Sequence, residues 1–428
     1  MLRLIQAAMV ADGGDGGSGC CAAPGAILVD RDRIIACGSP ESIGAVEHAV
    51  IERRHDRVLI PALVNVHAHL DLTAIGPVPY TGDFLSWVDL VRTQRKTAEQ
   101  EIRASVQRGA ELARAGGTAL IGDIAGARSL VAVEALRETG LAGISFLEVF
   151  GQGKSQTTAA SLMRSLVEQC EPNANGVQLG IQPHAPYSCG LEMYEAAIDL
   201  GLPLATHLAE TLEEIEFTHT GGGPLAELLR QVGVWDETIT GTGSHPVDAL
   251  ASVLARAPWI AAHLNYVSSE QIERLTQLSI TVAYCPRASA YFQHPQAGYP
   301  PHRYREMLEK GVNVALGTDS LLCLDTPDRI SVLDEMRLLH QRDRTDARVL
   351  LRMATINGAR ALGCDPTRVT LSPGPTLGVI GLPVDPHSHV DPFTQALHDD
   401  SPPEWVVGPF SMCGRAAGAG AEGYEVAR

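Results

Sequence analysis

Between Leu59 and Leu362, eight short runs rich in β-branched and apolar residues alternate with amphipathic helical stretches, and no other feature narrows the fold as far. That alternation reads as parallel strands with helical crossovers, an α/β chain. The strand candidates are LIPALVNVHAHLD at 59, TALIGDI at 118, AGISFLEVF at 142, VQLGIQPHAP at 177, LPLATHLAE at 202, WIAAHLN at 259, ITVAYCP at 280 and VNVALGTD at 312. Stretches such as AEQEIRASVQRGAELARAG and SSEQIERLTQLS supply the helices. Eight such units close most economically as a TIM-type (β/α)8 barrel, with a doubly wound open sheet as the alternative. The barrel is favoured because His67, His69, His184, His207, His263 and Asp319 all fall at C-terminal strand ends, where barrel enzymes carry their chemistry.

Outside that region, GAILVDRDRIIACGS near residue 25 reads as two strands joined by a DRD turn, and VTLSPGPTLGVIGLPVD near 369 as short strands punctuated by Pro and Gly. The expected organisation is residues 1–58 and 363–400 as two halves of a small β-sandwich, 59–362 as the barrel and 401–428 as a Gly- and Ala-rich tail. The net charge of −17 argues against nucleic acid or an anionic membrane as partner. No apolar run is long enough to span a bilayer, and the early break into Gly and Asp speaks against a secretory signal, so a cytoplasmic address is expected. Nine cysteines without a CxxC pair are expected to be buried or incidental thiols, leaving His and carboxylates to hold any metal.

In PALVNVHAHLDL, His67 and His69 stand two apart on a strand, so both imidazoles leave the same face and can grip one ion. The spacing alone is also compatible with a structural pair in a core strand. His207 in THLAET, His263 in AAHLN and Asp319 in LGTDS add one metal-competent side chain each at further strand ends.

Together with QPHAPYSCG, CPRASAYF and ATINGARALG, these segments resemble the amidohydrolase superfamily over nearly the whole chain, and within it the metal-dependent aminohydrolase branch. The resemblance implies His67, His69, His207 and Asp319 as ligands of one divalent ion, with zinc first and iron or manganese also suited to such donors. His263 and Asp319 would help to activate a water, and Glu210, three residues after His207, would carry protons. His184 resembles the family's substrate-contacting histidine, and Phe84, Trp87 and Arg287 are the other expected substrate contacts. GDFLSWVDLVRTQR after the first strand reads as a lid or as ordinary amphipathic packing, with Arg92 or Arg95 as anion contacts. His294 lies in the same loop region as Arg287.

A two-metal centre is disfavoured because the fourth strand carries no lysine, although Glu148 on the third could bridge ions or form a structural pair. The implied activity is zinc-dependent hydrolytic deamination of an aminated heterocycle, first an adenine-containing nucleoside derivative such as aminodeoxyfutalosine, through the likeness of GDFLSWV and THLAETLEEIEF. Dechlorination of a triazine-like ring is the runner-up. A non-catalytic binding protein on the same barrel is the alternative from another class, and cyclic-amide hydrolysis a third. The return segment VTLSPGPTLGVIGLP departs from the family's usual ADL-containing pattern, which leaves the order of the small domain open. A homodimer is the default assembly.

Overall fold

In the computed structural model, which describes residues 1–14, 20–126 and 129–410, the eight predicted strands form one parallel sheet. They run Leu63–Ala68, Thr118–Ala125, Ala142–Val149, Val177–Pro183, Leu204–Leu208, Trp259–His263, Ile280–Tyr284 and Asn313–Leu316. Their order in the sheet is their order in the sequence, as a barrel requires of successive crossover units. The open-sheet alternative fails at the seam. There the N–H groups of Thr318 and Asp319 donate to the His67 carbonyl at 2.9 and 3.0 Å, joining the last strand to the first. Every residue of the second, third, fifth, sixth and seventh strands is buried, which is why these segments read as apolar runs rather than alternating ones.

The flanking segments form a second, mixed sheet of eight strands. The strand Leu2–Ala11 lies parallel to Val50–Pro61 and antiparallel to Gly25–Asp30, and the DRD turn joins Gly25–Asp30 to Arg33–Gly38. From the other end of the chain, Val379–Pro383 pairs with Val50–Pro61, and Gly374–Pro375 with Arg33–Gly38. The return segment is therefore ordered without the ADL pattern. Its Leu371 and Val379 pack with Ile5, Ile27 and Leu59 in one apolar cluster. Since Val50–Pro61 passes into the first barrel strand through Ala62 alone, this sheet fixes the strand that carries His67 and ends one residue before His69.

Two expectations need correction. Glu404–Val407, within the segment read as tail, is a strand on Val379–Pro383; a four-residue run is too short to stand out beside a Gly-rich terminus. Residues 411–428 lie outside the described residues. Cys20 and Cys37 are joined in a disulfide rather than being incidental thiols, since sheet pairing brings together cysteines that the spacing rules do not connect. Cys170, Cys189, Cys285, Cys323 and Cys364 are buried free thiols. No helix among the described residues is long and apolar enough to cross a membrane.

Candidate active site

The C-terminal end of the barrel gathers His67, His69, His207, His263, Glu210 and Asp319, each at most 8% exposed. Their donor atoms form three overlapping groups, each within 4.8 Å: His67 with His207 and His263, His67 with His69 and Asp319, and Glu210 with His263 and Asp319. The rings of His69 and His207 stack with centroids 5.5 Å apart, and that of His67 stands edge-on to both at 5.1 and 5.0 Å. His69 Nε2 lies 3.6 Å from Asp319 Oδ1, and His263 Nε2 lies 3.6 Å from Glu210 Oε1.

Burial pushes the pKa values of His67, His69 and His263 well below the imidazole norm, and neighbouring imidazoles add to the effect. The rings are thus neutral and offer lone pairs. His67 Nε2 and His69 Nδ1 are buried with no hydrogen-bond partner among the described residues. The His207 Nδ1–H donates to the His184 carbonyl at 2.9 Å, which leaves its Nε2 as the free lone pair. Buried neutral imidazoles with unused lone pairs, beside a carboxylate, are what a divalent cation binds, so this donor set fits one.

The carboxyl groups respond in the opposite sense. Burial, reinforced by Asp319 and Glu214, pushes Glu210 well above the usual carboxylate range, and burial raises Asp319 to about 6. The Glu210 carboxyl is thus biased toward its protonated form. Strain is concentrated at the same pole: Ala209, His263, Leu264 and Asp319 are all left-handed, with φ of 50°, 76°, 50° and 60°. Non-glycine residues keep such backbone only where their surroundings impose it.

The remaining sequence-derived residues divide. His184 lies beside the cluster, its ring centroid 4.8 Å from that of His207, with Nδ1 2.7 Å from Ser188 Oγ. Phe84 opens the helix Phe84–Gln94, capped by Asp83, and with Trp87 packs on Phe292 in an aromatic group that also holds Tyr80 and Tyr291. Arg287 is turned elsewhere. Its guanidinium bonds Asp325 and Thr326 and lies 3.7 Å from Asp334, so its charge is already matched. Arg92 is exposed and pairs with Asp89. Arg95 is instead drawn inward, pairing with Asp71 at 3.1 Å and Glu148 at 3.2 Å, which makes Glu148 a partner in a buried ion pair.

Sequence reasoning missed Asp71, Asp123, Gln182, Glu214, Asn265 and Ser289, all buried around this centre. Only Glu214 carried a local signal, since Thr211-x-x-Glu214 has the form of a helix capping box.

Residues 58–374 match the profile of the Amidohydrolase family. Aminodeoxyfutalosine deaminase from Deinococcus radiodurans is 29% identical over 372 residues, covering 81% of this chain and 83% of that one. Aminofutalosine deaminase from Helicobacter pylori, solved in complex with methylthio-coformycin, superposes with a TM-score of 0.76 at 18% identity, over 95% of this chain and 99% of that one. Atrazine chlorohydrolase from Arthrobacter aurescens, solved with zinc, gives 0.73 at 20% identity, over 95% and 94%.

Proposed function

Because this chain belongs to the amidohydrolase family and is a hydrolase of carbon–nitrogen bonds other than peptide bonds, we propose that it removes ammonia from an adenine-containing nucleoside derivative, with aminodeoxyfutalosine as the first candidate. The substrate class rests on the names of its relatives, and the reaction on the chemistry of the cluster. The carrying observation is the pairing of unused imidazole lone pairs with the buried Glu210 carboxyl, 3.6 Å from His263.

We assign His67, His69, His207 and Asp319 as ligands of one divalent ion, with zinc as the first choice. An ion bound there supplies a Lewis acid and a water that ionises near neutral pH. Glu210 donates its proton to a ring nitrogen, and the carbon bearing the amine becomes electrophilic. Glu210 then collects a proton from the attacking oxygen and passes it to the departing amine, so the same carboxyl serves both transfers. His263, facing Glu210, orients that oxygen. His184, Phe84 and Trp87 are the proposed substrate contacts. Arg287, another expected contact, has one guanidinium nitrogen engaged by Asp325 and Thr326. The partner class is a small molecule, because a net charge of −17 disfavours nucleic acid and anionic membranes.

Ammonia release by the zinc-loaded chain is the test, across aminodeoxyfutalosine, methylthioadenosine, adenosine, guanine and a chlorotriazine, with Glu210→Gln as control. The expected result is release from an adenine nucleoside that the variant loses. Chloride release from the triazine without ammonia release from any amine would overturn the reading.

A further inference from the structure

Glu210 is held by its peptide groups rather than by its side chain. The Glu214 carboxylate accepts the Ala209 N–H at Oε1, 2.8 Å, and the Glu210 N–H at Oε2, 2.9 Å. On the other side, Asn265 Nδ2 donates to the Glu210 carbonyl at 3.0 Å. The orientation of that amide is fixed in turn, because Asn265 Oδ1 accepts the Ser289 hydroxyl at 2.9 Å. Glu214 is fully buried, and Asn265 and Ser289 are 5% and 2% exposed.

The clamp spans three strand ends. Glu214 opens the helix Leu212–Thr220 after the fifth strand, Asn265 follows His263 at the end of the sixth, and Ser289 sits on the helix Pro286–Tyr291 after the seventh. Thr211 caps the helix, its hydroxyl accepting the Glu214 N–H at 3.1 Å, and the Glu214 carboxylate reaches back beyond Thr211 to the two preceding N–H groups. Those N–H groups flank Ala209, whose φ of 50° a β-carbon disfavours. The clamp therefore supplies the constraint that keeps a strained peptide in place, and the Glu210 carboxyl stays free to face His263.

We propose that Glu214, with Asn265 and Ser289, is a positioning residue that sets the Glu210 carboxyl against His263 by gripping the Glu210 peptide on both sides. The inference rests on the proton-transfer role given to Glu210 above. Glu214→Gln keeps size and shape but turns an amide NH2 toward a backbone N–H. In the zinc-loaded full chain, kcat falls about 10- to 100-fold. KM moves less than about threefold, because ground-state binding is untouched. Bound zinc stays the same, and amide exchange at Ala209 and Glu210 quickens in metal-free protein while the rest of the barrel keeps its protection. Adding Ala209→Gly to Glu214→Gln recovers part of kcat, since glycine adopts the left-handed backbone without strain.

Unchanged kcat with unchanged exchange at 209–210 would overturn the proposal. So would faster exchange throughout the barrel with loss of zinc, which marks a purely structural role. If Glu214→Gln does not fold, Asn265→Asp decides, because it places an acceptor against the Glu210 carbonyl and must give the same kcat-selective loss. If the wild type releases ammonia from no nucleoside, the functional reading fails, while the exchange comparison at 209–210 still decides whether the clamp holds that peptide.

Discussion

Two regions of this barrel bury ionisable groups and treat them differently. At the mouth, His67 Nε2 and His69 Nδ1 are unpartnered, Glu210 is pushed toward its neutral form and four residues are left-handed. Around the last helices, Arg329 bonds both oxygens of Asp334 at 2.8 and 3.0 Å, Arg337 bonds the same carboxylate at 2.9 Å, and Arg287 is matched by Asp325. The carbonyls of Asp400 and Ser401 accept from Arg329 and Arg337 at 2.8 Å and tie the C-terminal segment to this network. A buried group left without its partner costs free energy, so a cluster of unpartnered imidazoles beside carboxyl groups is a place suited to an added ligand.

The largest effect separating the two regions is expected from Glu210→Gln. Loss of the proton carrier lowers kcat by about 10²–10⁴-fold. Removing a buried, poorly compensated carboxyl leaves the melting temperature equal or higher, a stability gained at the expense of function. Melting that fell along with activity would break the comparison at once.

Asp334→Ala should do the reverse. It leaves Arg329 and Arg337 buried without their shared carboxylate, and destabilisation of about 3–5 kcal/mol is expected in urea unfolding, while folded protein keeps its turnover. A stability change of only a few tenths would mean that the carbonyl contacts alone hold these arginines.

Arg95 tests the middle ground, since it lies beside the mouth yet is compensated by Asp71 and Glu148. A β-carbon at Gly126 would overlap its guanidinium. Gly126→Ala is therefore expected to cost about 1–3 kcal/mol by overpacking and to change kcat far less than Glu210→Gln does. Equal losses of turnover in the two variants would place Arg95 among the reacting groups.

The smallest effect concerns Glu335, where compensation is incomplete. Burial outweighs Arg287 and raises its pKa from 4.5 to about 8. A carboxyl with a raised folded pKa stabilises fully below the unfolded value and loses that contribution as pH rises through the folded one. The melting temperature should therefore decline between about pH 4.5 and 8. Glu335→Gln should flatten that slope, and parallel profiles for the two proteins would remove Glu335 as its source.

The strand ends were legible because period and position are local. His67 and His69 stand two apart at the end of one strand and just beyond it, and His207, His263 and Asp319 each follow an apolar run. The ion pairs of Arg287, expected as a substrate contact, and of Arg95, expected as an anion contact, were not legible for the opposite reason. Their partners Asp325, Asp71 and Glu148 lie 38, 24 and 53 residues away, and a free arginine looks the same in sequence as a matched one. The Cys20–Cys37 bridge and the strand Glu404–Val407 were hidden in the same way, each depending on a neighbour supplied by sheet pairing.

By itself the sequence determined the alternation that makes a parallel barrel and the residue types at its C-terminal pole, since hydrophobic period and strand ends are properties of consecutive residues. Tertiary structure alone decided which buried charges are paired, which backbone is strained, and that Glu214 and Asn265 grip the peptide of Glu210. These depend on distances between residues far apart in the chain, and on the loss of water around them, and neither is written in any local pattern.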